Sequence, residues 1–147
     1  MNQTLQDLKT RRSCRKYRPE QIEESELEQI LEAGTFAATG MGMQSPKIVV
    51  VQDKETIKTL SKMNAKIMGV TSDPFYGAPT VLIVLADKSR RTYLEDGSLV
   101  MGNLMLEAEE QGIGSCWIHR AKEEFESEGG TCSWSCLLLD PSCKGRI

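Results

Sequence analysis

The stretch YLEDGSLVMGNLMLEAEEQGIGSCWI, from Tyr93 to Ile118, sets two kinds of element end to end. Its first part carries Leu94, Leu99, Val100, Met101, Leu104, Met105 and Leu106, apolar residues on more than one face of a helix. A helix patterned this way belongs at the centre of a domain, not on its surface. The run from Ile113 to Ile118 follows at once and reads as a short strand. A buried helix feeding directly into a strand requires a sheet to pack against, and the flanking sequence supplies one.

Upstream, KIVVVQ (47–52) and TVLIVLAD (80–87) are apolar without alternation and are expected to be strands buried on both faces. Between them KETIKTLSKMNAKIM spaces Ile57, Leu60, Met63, Ile67 and Met68 at helical intervals, an amphipathic crossover. SELEQILEAG predicts a helix with Ser25 as N-cap, Glu28 completing a capping box, Leu27, Ile30 and Leu31 buried, and Gly34 as its stop. In TLQDLKTRRS, Thr4 is the expected cap of a short helix whose C-terminal end delivers a cluster of arginines. AKEEFESE (121–128) starts a further helix. Strands and helices alternate, so the fold is α/β or α+β with a mixed sheet, and 147 residues with 39% hydrophobic content suit one domain. After Glu128 the character changes: GGTCSWSCLLLDPSCKGRI has no clear period and reads as a loosely ordered or aberrant tail. Cys132, Cys136 and Cys143 stand four and seven residues apart, not the paired spacing of a structural zinc site, and no metal is expected.

The net charge of −3 argues against a general nucleic-acid or anionic-membrane binder and makes the basic cluster a local feature suited to a small anion. No run is long enough to span a bilayer, and MNQTLQDLKT lacks a signal core, so a soluble cytoplasmic chain is expected. Five cysteines, an odd number, then favour thiols over a disulfide framework.

Three constellations could carry chemistry. Arg11, Arg12, Ser13 and Arg15 match a phosphate clamp, since guanidinium forks meet phosphate oxygens bidentately; a solvated basic turn paired with Glu20, Glu23 and Glu24 fits the same residues. AATGMGMQSP (37–46) is a loop of small residues that lets backbone approach a flat ligand, with the Gln44 amide able to meet a heterocycle edge; an ordinary helix-to-strand connection would look similar. GIGSCWIHR (112–120) could lay backbone donors and one cation beside a ring, although Cys116 reads more readily as a buried small hydrophobe and His119 as a surface or packing residue. No Ser-His-Asp or Cys-His arrangement and no catalytic carboxylate pair is discernible.

Taken together and in order, RRSCRKYRPEQI, FAATGMGMQSPKIVVV, FYGAPTVLIVLAD and EDGSLVMGNLMLEAEEQGIGSCWIH resemble the FMN-dependent nitroreductase family over about residues 4–128. The resemblance implies an α+β fold, a central mixed β-sheet wrapped by helices, built as an intertwined homodimer with two FMN sites at the interface. Residues 1–128 would form the FMN-binding domain, with 129–147 as an atypical tail of the same domain. By motif position, Arg11, Arg12, Ser13 and Arg15 would hold the FMN phosphate and ribityl end. Thr39, Met41, Gly42 and Gln44 would touch the flavin, partly from the opposite subunit, and Ile118, His119 and Arg120 would pass beside the isoalloxazine. The implied activity is ping-pong transfer of hydride from NADH or NADPH through FMN to a small-molecule acceptor such as a nitroaromatic or quinone, with no catalytic side chain required.

The sequence departs from the family pattern in two places. Gly42 and Met43 stand where members often carry a polar side chain and an arginine. Beyond Glu128 members continue with a helix, a strand that often crosses to the partner, and basic residues that help hold the phosphate; Lys144 and Arg146 are the available stand-ins. Loss of a strand there would leave an exposed sheet edge. It would also make the chain a flavin-binding or inactive remnant, the first alternative to an enzyme. A small anion- or nucleic-acid-binding module built on residues 11–18 is the second.

Overall fold

The computed structural model describes residues 2–126 and 132–140. In chain order the elements are α1 (Gln3–Thr10), α2 (Glu24–Thr35), a 3₁₀ turn (Gly40–Gly42), β1 (Lys47–Val51), α3 (Lys54–Met68), β2 (Thr80–Asp87), α4 (Tyr93–Glu110), β3 (Gly114–Ile118), α5 (Ala121–Glu126) and β4 (Cys132–Asp140). The strands form one sheet in the order β1-β2-β4-β3. All three pairings between them are antiparallel, and the parallel part of the expected mixed sheet is a single bridge between Ser13 and Ser115.

Two apolar clusters cover the two faces of this sheet. On one, α2 and α4 bring Leu27, Ile30, Met101 and Leu104 against Leu82, Val84, Leu137 and Leu139. On the other, Ile57 of α3 and Phe75 meet Val81, Ile83, Cys116 and Leu138. Alternate residues of β2 and β4 therefore enter different clusters, both dry, which explains why TVLIVLAD shows no period of two. Met101 and Leu104 of α4 are fully buried as expected of the central helix, whereas Leu94 and Leu99 are exposed. Truncating a residue such as Leu104 to alanine would cost about 2–5 kcal/mol at a site this enclosed.

The structure corrects several sequence expectations. The segment without a period contains β4, nine residues paired with both β2 and β3 in the interior of the sheet. Its serines and cysteines concealed the strand, and its leucine triplet is buried alternately on both faces. Residues 129–131 and 141–147, with Lys144 and Arg146, lie outside the described residues. β1 is not buried on both faces; it is an edge strand with Val49 and Val50 exposed. α3 joins neighbouring antiparallel strands and buries Ile57, Ser61, Asn64 and Ala65, leaving Met63 and Ile67 exposed.

The caps also move. Asn2, not Thr4, caps α1, its side chain accepting from Leu5 N at 2.9 Å. In α2 the capping box is Glu23 with Glu26, two residues before the expected Ser25 and Glu28, because a carboxylate can serve the helix start as a hydroxyl does. Gly34 does not stop α2, which runs on to Thr35. A Cβ at Gly34 would lie 2.7 Å from Leu104 Cδ2 and 2.8 Å from Ile48 Cδ1, so glycine is required there by the close approach of α2 to α4 and β1.

Candidate functional site

The basic cluster is an extended segment laid on the sheet edge. α1 ends at Arg11, whose N–H still reaches Asp7 O at 2.9 Å, and the chain then meets β3, with Cys14 N donating to Ser115 O at 2.9 Å. Tyr17 braces this contact by donating its hydroxyl to Cys14 O at 2.7 Å. The four predicted clamp residues divide into two groups. Arg11, Ser13 and Arg15 all act on the Cys116 thiol: burial pushes that thiol up, while Arg15, the Ser13 hydroxyl and Arg11 pull it the other way. Ser13 is bridged to Ser115, so the short segment from Arg11 to Arg15 runs along β3. Arg12 instead turns back, and its Nη1 donates to the carbonyls of Lys9 and Arg11, both at 2.8 Å, closing the exposed end of α1.

β3 leads from there to the second predicted group. Ile118 is buried in the cluster with Cys116, so only its backbone could face a ligand. His119 and Arg120 are exposed in the turn into α5, and their carbonyls accept from Lys122 N and Glu123 N. The His119 ring stands edge-on to Trp117, with centroids 6.4 Å apart.

The third group, residues 39–44, is held from the start of α4. Gly40 N donates to Asp96 Oδ1 at 2.8 Å, and Thr92 donates its hydroxyl to Asp96 Oδ2 at 3.0 Å. Asp96 is 3% exposed, and a Cβ at Gly40 would collide with the Thr92 hydroxyl. Within the loop Thr39 Oγ1 accepts from Gln44 N at 3.0 Å. Met41, Gly42 and Gln44 have φ values of 55°, 65° and 51°. For Met41 and Gln44 this left-handed backbone costs about 1–3 kcal/mol each and persists only where the surroundings impose it. Met41 is 97% exposed, and Thr39, Gln44 and Pro46 line a cavity of about 360 Å³ against Leu31 and Val100.

Asp96, Thr92 and Tyr17 were not singled out in the sequence. The pair Thr92 and Asp96, four residues apart at the start of a helix, carried a capping signal, but nothing in the spacing disclosed that its acceptor reaches Gly40.

The strand order decides how these groups can cooperate. The clamp and residues 118–120 belong to β3, one edge of the sheet, whereas the 39–44 loop precedes β1 at the other. Three strand spacings of about 4.8 Å, roughly 14 Å, separate the edges. Around the loop, Phe36, Met41, Met43, Leu94 and Leu99 are exposed apolar side chains, Phe36 at 77%.

The family model described as Nitroreductase family matches residues 8–125. A relative from Archaeoglobus fulgidus, provisionally named as an NADH dehydrogenase/NAD(P)H nitroreductase, is 32% identical over 123 residues, covering 80% of this chain and 68% of its own length. The FMN reductase [NAD(P)H] of Bacillus subtilis is 32% identical over 97 residues, 65% of this chain but 37% of that protein. Among solved structures, a nitroreductase with bound FMN from Bacteroides fragilis superposes with a TM-score of 0.84 at 25% identity, covering 100% of this chain and 92% of the other. An FMN-dependent nitroreductase from Clostridium difficile gives 0.82 at 28% identity, with coverage of 97% and 89%.

Proposed function

Because the chain belongs to the nitroreductase family, we propose that it is an FMN-dependent NAD(P)H oxidoreductase acting as a homodimer in the cytoplasm. The observation that carries the proposal is the parallel bridge between Ser13 and Ser115, which lays the segment holding Arg11, Ser13 and Arg15 along an edge strand, a donor set suited to a phosphate monoester. FMN fits these residues: its phosphate would rest on Arg11, Ser13 and Arg15, and its ring system beside the backbone of Ile118 and the turn at His119 and Arg120. A second copy of the chain would present Thr39, Met41, Gly42 and Gln44, since its own sheet holds that loop at the far edge. The exposed apolar residues around the loop support such pairing. When bound, the flavin supplies hydride transfer from NADH or NADPH to a nitroaromatic, quinone or similar acceptor. The protein anchors the phosphate, offers the Gln44 amide to the ring edge and excludes water with the apolar side chains of the loop.

The proposal is tested by the visible spectrum of the purified protein after incubation with FMN and desalting, with mass by size exclusion on the same sample and NAD(P)H oxidation with a quinone. Yellow dimer that turns over supports it. Yellow protein without turnover assigns the chain as a flavin-binding remnant. Absence of flavin together with a salt-dependent shift of single-stranded DNA favours an anion-binding module.

A further inference from the structure

We propose that the groove between α3 and residues 71–79 is a second ligand site, for a small organic anion with an apolar body and a phosphate head. None of the residues assigned above to FMN lines it. It is the larger of the two cavities described, about 500 Å³, a size that accepts a compact ring system. Its floor is apolar, formed by Ile57, Ala65 and Ala78, all buried.

The rim is cationic. Lys54, Lys58 and Lys62 line the groove at four-residue intervals on one face of α3, so successive ammonium stems start about 6 Å apart. The hydroxyl residues Thr71 and Ser72 line the opposite wall. The one carboxylate of the lining, Asp73, is engaged by the walls themselves. Its Oδ1 accepts from Ser61 Oγ and from Phe75 N, and its Oδ2 accepts from Gly77 N at 2.7 Å. Asp73 thus fastens the loop to α3 and holds the groove open. Lys58 pairs with Glu55 at 3.9 Å, with the two side chains 60% and 83% exposed. Such a contact in water holds a lysine only weakly. Three ammonium groups over an apolar floor, with the only lining carboxylate bonded to hydroxyl and amide donors, select a ligand that is negative at one end and apolar at the other.

The test is calorimetric titration of the purified protein, with and without saturating FMN, using 1-naphthyl phosphate as the probe and inorganic phosphate and 1-naphthol as its two halves. Naphthyl phosphate is expected to bind at least tenfold more tightly than either half, and equally with or without FMN. Lys58→Glu/Lys62→Glu is expected to weaken it at least tenfold while leaving FMN content unchanged, and Lys58→Gln/Lys62→Gln to have an intermediate effect. Equal affinity for 1-naphthol would mean an apolar hole without anion selectivity. Displacement of FMN by the probe would place binding at the flavin clamp. Either result, or unchanged affinity in both folded double variants, overturns the site. Because the titration is also run without FMN, its outcome is independent of whether the flavin proposal holds.

Discussion

Replacing Asp96 should release the loop proposed to approach the flavin. The carboxylate is 3% exposed and accepts from Gly40 N at 2.8 Å and from the Thr92 hydroxyl at 3.0 Å. Asp96→Ala strands the half-buried Gly40 N–H at a cost of about 1–3 kcal/mol, whereas Thr92 is exposed and its hydroxyl can turn to water. A loss of about 2 kcal/mol is expected, and at about 3 °C per kcal/mol for a chain of this size the melting temperature should fall by roughly 6 °C. The left-handed φ of Met41 and Gln44 adds to the effect, because strain is retained only while its anchor holds. FMN affinity should therefore fall by about tenfold or more, equivalent to about 1.4 kcal/mol of lost positioning. Asp96→Asn keeps an oxygen for Gly40 and lets the Thr92 hydroxyl rotate to accept, so its loss should be nearer 1 kcal/mol. Flavin fluorescence quenching measures the affinity, and thermal unfolding without FMN measures the stability. An Asp96→Ala variant that binds FMN within about twofold of the parent and melts within about 2 °C of it would refute the anchoring role.

Further outcomes test other parts of the molecule. Arg11→Ala/Arg15→Ala should lose FMN on desalting, whereas Arg12→Ala should retain it, because the Arg12 guanidinium is turned onto the end of α1; equal loss in both variants would show that the clamp has been divided wrongly. Glu110 titrates above its ordinary range because of desolvation and then the neighbouring Asp7 carboxyl. The folded chain therefore holds that proton more tightly than the unfolded one, and stability from this group falls as pH rises from the ordinary Glu range through the raised folded value. Glu110→Gln should flatten the slope of melting temperature against pH over that window, and an unchanged slope would exclude the pairing. Leu138→Ala should destabilise by about 2–5 kcal/mol in urea unfolding, since Leu138 is fully buried between β2 and β3.

What could be read from the sequence followed how many environments each segment serves. α4 and β2 meet protein on more than one side, so their apolar content announced them. The clamp residues were legible as a charge cluster, but not the turning back of Arg12, which depends on where α1 ends. Ile118 stood in the motif expected beside the flavin, yet its side chain belongs to the core, a distinction that needs the face of β3 to be known. β1 looked doubly buried because valines fill both of its faces, whereas Val49 and Val50 are exposed in a single chain. Apolar residues on an exposed edge strand and apolar residues in a core produce the same letters.

β4 gives the C-terminal segment a structural meaning that its composition hid. It pairs with β2 over eight residues and with β3 over five, and among the described residues β3 has no other strand partner in the sheet. The segment holding Cys14 is fastened to that same β3 through Ser115. The segment from Arg11 to Arg15 therefore leans on the domain through β3 and β4, as well as through α1 packed on α4 and Tyr17 packed on the second apolar cluster. Removing the chain from residue 132 onward should cost the proposed phosphate site as well as stability, although none of Arg11, Ser13 and Arg15 is deleted. Such a truncated variant is expected to bind FMN far more weakly than Leu138→Ala, which keeps the ladder intact. If Leu138→Ala lost FMN while still folded at the assay temperature, side-chain packing rather than the strand ladder would be what carries the clamp.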